Sequence, residues 1–320
     1  MNKENKILGN PEQEKQIPRL IRRAGEDGLI NRVIRGERDL IRAEASDFFK
    51  QFKHCDKADR LLSKIIIENP AKDKKGLYKA TQDGESFYRA YDNISAALIY
   101  PVFEDQKGVY HIIERVQEAI GFSEEGLILQ SRDSPIWDIT DNSLLALAYL
   151  GLGRKKDALE HIELIKANSR WHESDDYIAL NQIEDDNEII TIANASYALA
   201  LSALGKNKEA EKIMGYIEKT VGENIKNFPG LYVNGLYFYS THAFDIYSSC
   251  NAMMALAKMA VNKDLDGASK LIGKIEEHIG FDEKTGLVKH SATEDGDECW
   301  IGDSAILALA YMMQEFYRTK

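Results

Sequence analysis

The feature that most constrains this chain is a block that returns along it. Asp141-Asn142-Ser143-Leu144-Leu145-Ala146-Leu147-Ala148-Tyr149 reappears as Asp303-Ser304-Ala305-Ile306-Leu307-Ala308-Leu309-Ala310-Tyr311. Weaker copies recur about every fifty residues, a period that signals stacked helical hairpins. What repeats is expected to be architecture, and what departs from the repeat is where chemistry is sought.

Each unit opens with a short extended Gly-Leu-aliphatic or Gly-Leu-aromatic piece: Gly28-Leu29-Ile30, Gly76-Leu77-Tyr78, Gly126-Leu127-Ile128, Gly230-Leu231-Tyr232 and Gly286-Leu287-Val288, with a degenerate Tyr177-Ile178-Ala179 between the third and the fifth. About fifteen residues later comes a helix rich in Ala and Leu, such as Asn194 to Leu201 or Asn251 to Ala257. A helix apolar on most faces is buried on most faces, so these belong to an inner ring. An amphipathic helix follows each one. In Arg154 to Ile165 it sets Ala158, Ile162 and Ile165 on one face. Gly153 and Gly205 fall between paired helices, where a tight turn favours positive φ.

The last inner helix reaches the end of the sequence without an outer partner downstream. A polar helix over Glu12 to Arg23, with Ile17, Leu20 and Ile21 on one face, is expected to close the ring against it. Closure removes the apolar end faces that an open array must cap. The expectation is an all-α (α/α)6 toroid, one domain over 1–320 with 1–10 disordered, and an open solenoid is the alternative.

Composition narrows the partners. The formal charge of −11 lacks the cationic footprint that nucleic acid or anionic membrane requires. No run of about 18 apolar residues is present, the start Met1 to Lys6 is polar, and the three cysteines form no disulfide framework. A cytoplasmic protein is expected.

Six hairpins, each opening with a Gly-Leu element, resemble the (α/α)6 six-hairpin glycosidase-like superfamily, which includes glycoside hydrolases, polysaccharide lyases and the N-acylglucosamine 2-epimerase family. The resemblance is one of architecture and brings no catalytic motif residue by residue. It implies that a small-molecule or oligosaccharide substrate sits in the funnel where the inner helices begin.

Those starts read Asp92-Asn93, Asp141-Asn142, Ala193-Asn194, Cys250-Asn251 and Asp303-Ser304. Asp, Asn and Ser are favoured helix N-caps, so the column is read first as capping, with Asp141 and Asp303 free to face substrate as well. Tyr88, Trp137, Phe244 and Trp300 lie just upstream and vary between units. Together with Asp92 they are candidates for binding a sugar, whose C–H faces stack on aromatic rings; filling the core is the alternative. Glycoside hydrolysis needs two carboxyl groups, and units three and six oppose one another in a ring of six. The expected pair is Asp138 or Asp141 facing Asp295, Asp297 or Asp303. His242 and His290 offer a competing acid–base pair for sugar epimerisation. A non-catalytic scaffold or sugar-binding protein is the third reading. Asp297 and Cys299 with a histidine make a weak zinc set, and no metal or other cofactor is expected.

Overall fold

The computed structural model describes residues 47–66, 77–82, 85–103, 105–173, 178–181, 189–226, 235–240, 245–291 and 299–320. Its helices are α1 (Asp56–Ile66), α2 (Ala90–Ala97), α3 (Gln106–Ala119), α4 (Ile139–Gly151), α5 (Lys155–Asn168), α6 (Thr191–Ala203), α7 (Asn207–Lys226), α8 (Ser248–Ala257), α9 (Leu265–His278) and α10 (Ile301–Arg318). Two antiparallel hairpins decorate the loops. Strand β1 (Ala80–Gln82) pairs with β2 (Glu85–Phe87), and β3 (Arg170–Glu173) with β4 (Ile178–Asn181).

The Ala/Leu-rich helices α2, α4, α6, α8 and α10 are the inner ones, and α4 is buried along its whole length. Each packs on the next, and α10 packs directly on α2, so among the described residues the inner circle is closed. Helices α3, α5, α7 and α9 each lie against the inner helix that precedes them, and α1 lies against α10. The first described helix therefore closes the ring against the C-terminal one. Lys57 Nζ reaches Glu276 Oε1 at 2.5 Å, and the Tyr311 hydroxyl donates to the same oxygen at 2.7 Å, tying α1, α9 and α10 together. The proposed Glu12–Arg23 helix and the first unit's inner helix lie outside the described residues.

The outer helices show the expected single apolar stripe. In α5 it is Ala158, His161, Ile162 and Ile165, and His161, on this outer helix, is buried rather than exposed. Gly153 and Gly205 take φ of +73° and +85° at the hairpin turns.

The recurring Asn does something other than cap. The inner helices begin three residues earlier than the sequence suggests, so Asp92, Asp141, Cys250 and Asp303 are third in their helices and the Asn or Ser is fourth. There the side chain reaches sideways and clamps the extended piece of its own unit. Asn142 Oδ1 accepts from Ile128 N at 2.8 Å, and its Nδ2 donates to Ile128 O at 3.1 Å and to Asp138 O at 2.8 Å. Asn93 repeats this on Tyr78 at 2.8 and 2.9 Å, and Asn251 on Tyr237 at 2.6 and 3.1 Å. Ser304 Oγ accepts from Val288 N at 3.0 Å. The clamp separations are 14 to 16 residues. That spacing relocates the fifth unit's opening to Gly235-Leu236-Tyr237, with Gly235 at φ +87°; Gly230-Leu231-Tyr232 lies outside the described residues. Among the described residues, only at Asp138 does a side chain cap an inner helix, accepting from Thr140 N at 2.6 Å and Asp141 N at 3.4 Å.

Neighbouring units are zipped by single bridges between the residue before an inner helix and a serine of the next unit: Arg89 with Ser131, Ile190 with Ser240, Tyr247 with Ser291. This lattice brings the N-cap residues of the inner helices (Arg89, Asp138, Ile190, Tyr247 and Trp300) to one end of the toroid.

Candidate active site

Where α8, α10 and α2 begin, four planar groups stack in a column. The Arg89 guanidinium carbon lies 3.7 Å from the Trp300 ring centroid. His290 lies 3.6 Å from Trp300 at 17° on one side and 4.5 Å from Tyr247 at 18° on the other. Two groups this close to one ring centre must lie on opposite faces of it, so Trp300 and His290 each have both faces covered. Trp300 is thus a spacer, with no face left for the sugar stacking expected of it. Tyr239 meets the edge of Tyr247 at 5.3 Å.

With its faces covered, His290 can act only through its ring edge. Nδ1 lies 2.7 Å from Asp303 Oδ2, and Asp303 is fully buried. The same oxygen accepts from Ser248 Oγ at 2.9 Å. A carboxylate only accepts, so Nδ1–H is the donor to Asp303, and Nε2 is the ring nitrogen left for a ligand. Among the described residues Nε2 has no hydrogen-bond partner, and the side chain is 13% exposed.

Unit two supplies the opposite wall. Arg89 Nε donates to Asp92 Oδ2 at 2.6 Å, and Asp92 Oδ1 accepts from Gly302 N at 2.8 Å. Tyr91 lies flat on Gly302, where a Cβ would strike its ring. Its hydroxyl is buried, and burial together with Asp303 raises the phenol well above its usual range. Burial also raises the Asp92 carboxyl, with Arg89 opposing.

Asp141 differs from the other carboxyls. It is 4% exposed and its side chain makes no hydrogen bond among the described residues. Burial first, then Asp138 and Asp92, raise it well above the ordinary carboxylate range. Burial likewise raises Asp138, against its hydrogen bonds to Thr140. A buried carboxyl without donors around it holds its proton.

The structure places only part of the expected carboxylate pair. Asp303 has become the support of His290, Asp138 is engaged as a cap, and Asp295 and Asp297 lie outside the described residues. So do His242 and Phe244. Tyr88 and Trp137 are half-buried and pack on the core one residue before the Arg89 and Asp138 caps, with Lys79 over the Tyr88 ring at 5.6 Å. Arg89, Tyr91, Tyr247 and Ser248 were missed. A usable signal was present: four residues before each clamping Asn or Ser stand Arg89, Asp138, Ile190, Tyr247 and Trp300, the most varied column of the repeat.

Among the described residues no group of three His, Cys, Asp or Glu could hold a metal ion, and no helix is long and apolar enough to cross a membrane. Cys250, buried beside Asp303, has its thiol pushed far up by burial. A separate cavity of about 560 Å³, lined by His54, Lys57, Glu276, Gln314 and Arg318, opens at the other end of α10.

No family model matches the sequence, and no curated protein matches it. Solved structures do. An α-amylase from Clostridium perfringens is similar over 80% of this chain and 97% of its own, at 11% identity and a TM-score of 0.51. A GH76 α-mannanase of Bacteroides thetaiotaomicron is similar over 85% and 96%, at 11% identity and 0.50. A cold-adapted family 8 xylanase is similar over 87% and 89%, at 9% identity and 0.50. The chain therefore has an all-α (α/α)6 toroid fold. At such identity the likeness concerns fold alone.

Proposed function

We propose that the protein is a carbohydrate-active enzyme whose chemistry is proton transfer at His290. The observation that carries this reading is the state of that imidazole: both faces stacked, Nδ1 held by a fully buried carboxylate, and only Nε2 left for a substrate. A base held in one tautomer and one orientation suits abstraction of a proton from the carbon beside a sugar carbonyl. In that step the C–H bond breaks, its proton moves to Nε2, and its electron pair forms the C=C bond of an enediol. The carbonyl oxygen meanwhile takes the proton of Asp141. Return of the proton from Nε2 to the neighbouring carbon, and of the other hydroxyl's proton to Asp141, gives the aldose–ketose isomer.

The test is exchange in D2O. Incubation of the protein with aldoses and ketoses, followed by proton NMR, is expected to show deuterium entering the carbon next to the carbonyl. His290→Gln should lower that rate at least a hundredfold, within the range for a general base, with an unchanged melting temperature. Turnover without exchange, or undiminished in His290→Gln, would remove the assignment.

Glycoside hydrolysis is the second reading, favoured by the raised Asp141 carboxyl, which suits a general acid. The similar amylase, mannanase and xylanase support it. Release of reducing ends from oligosaccharides, lost in Asp141→Asn and retained in His290→Gln, would select it.

A further inference from the structure

Arg89 is a cation held in place with most of its hydrogen-bonding capacity unused. A guanidinium has five N–H donors in a fixed fork. One of them, on Nε, is taken by Asp92, and the flat face is taken by Trp300. Among the described residues the two terminal nitrogens, with four donors, have no partner, although the side chain is only 19% exposed. Polar groups covered to that extent are ordinarily paired. Asp141 is near enough to feel this charge but does not bond to it.

We infer that Arg89 receives the carboxylate of an acidic monosaccharide, a uronic acid; this rests on the proton-transfer reading of the same site. A guanidinium and a carboxylate meet through two parallel, charge-assisted hydrogen bonds, and the terminal edge of Arg89 is shaped for that. The column fixes the distance. Arg89 lies one stacking distance from Trp300 on one face, and His290 one stacking distance on the other. That separation is roughly the span of a single open-chain uronic acid from its carboxylate to its carbonyl end, so a uronate held by Arg89 brings its reducing end to His290. A phosphate fits less well. It would carry close to two negative charges to a single guanidinium already balanced by Asp92.

The experiment is calorimetric titration of the full-length protein with glucuronate and galacturonate, and with glucose, galactose and glucose 6-phosphate. Each uronate should bind at least tenfold more tightly than its neutral counterpart and more tightly than the phosphate, with the advantage shrinking in high salt. Arg89→Gln should remove that preference, and Arg89→Lys should restore only part of it. The wild-type comparison decides the matter even if both variants fold poorly. Neutral sugars bound as tightly as uronates, a tighter sugar phosphate, or a preference surviving in a folded Arg89→Gln would each overturn the carboxylate site. In those cases deuterium exchange on neutral sugars would leave the proton-transfer reading standing. Binding of no sugar in either class would overturn both.

Discussion

Asp141 and Asp303 occupy the same place in the repeat, yet their surroundings give them opposite characters. Asp303 is given two donors, His290 and Ser248, while Asp141 is given none and lies near two other carboxyls. The consequence for stability has a definite sign. With its folded-state pKa raised above the unfolded value near 3.8, Asp141 binds an extra proton in the folded protein between those two values. Stability is therefore lost as pH rises through that window. Asp141→Asn removes the loss. Urea melts should find the variant about 1 kcal/mol or more stabler than wild type at pH 7. The gap should narrow toward about pH 4. A gap independent of pH would mean that the carboxyl is ionised in the folded state.

At the level of elements, one polar side chain in each of four units fastens the toroid. Asn142 is the clearest case. Its Oδ1 accepts from Ile128 N and lies 2.9 Å from His161 Nε2, while Nδ2 bonds two carbonyls. His161 is held neutral, its pKa lowered to about 4 by burial, so its Nε2–H donates. Helix α4, the opening strand of its unit and outer helix α5 thus meet on a single amide. Asn142→Ala should cost about 2–4 kcal/mol in chemical denaturation, because buried donors and acceptors lose partners that water cannot replace. Ser304 offers only one oxygen in the equivalent place. Ser304→Ala should consequently cost about half as much or less. Equal losses at the two positions would argue against the clamp.

The molecule as a whole is a circle, and its site lies where the circle closes. Arg89, Tyr91 and Asp92 of α2 and its cap meet Trp300, Gly302 and Asp303 of α10 and its cap, although Asp92 and Gly302 stand 210 residues apart in the sequence. Closure is reinforced at the far end by Lys57, Glu276 and Tyr311. Tyr311→Phe deletes the hydroxyl that ties α10 to α9 and should cost about 1 kcal/mol. Hydrogen exchange should quicken together in α1, α9 and α10, and not in α4 or α6. Exchange rising uniformly instead would mean the seam has no local stability of its own.

The sequence by itself determined the helices, their division into inner and outer, and the end of the toroid that gathers varied side chains. Those properties follow from periodicity and from a column that repeats, both local along the chain. It marked His290, Asp141, Asp303 and Trp300, but it misread what the Asn column does. Only the tertiary structure decided that Asp303 serves His290, that Trp300 is covered on both faces, and that Arg89 stands in the same column. The reason is adjacency around a closed ring. Which charge faces which base depends on units two and six being neighbours, a relation set by closure that no spacing along the chain can express.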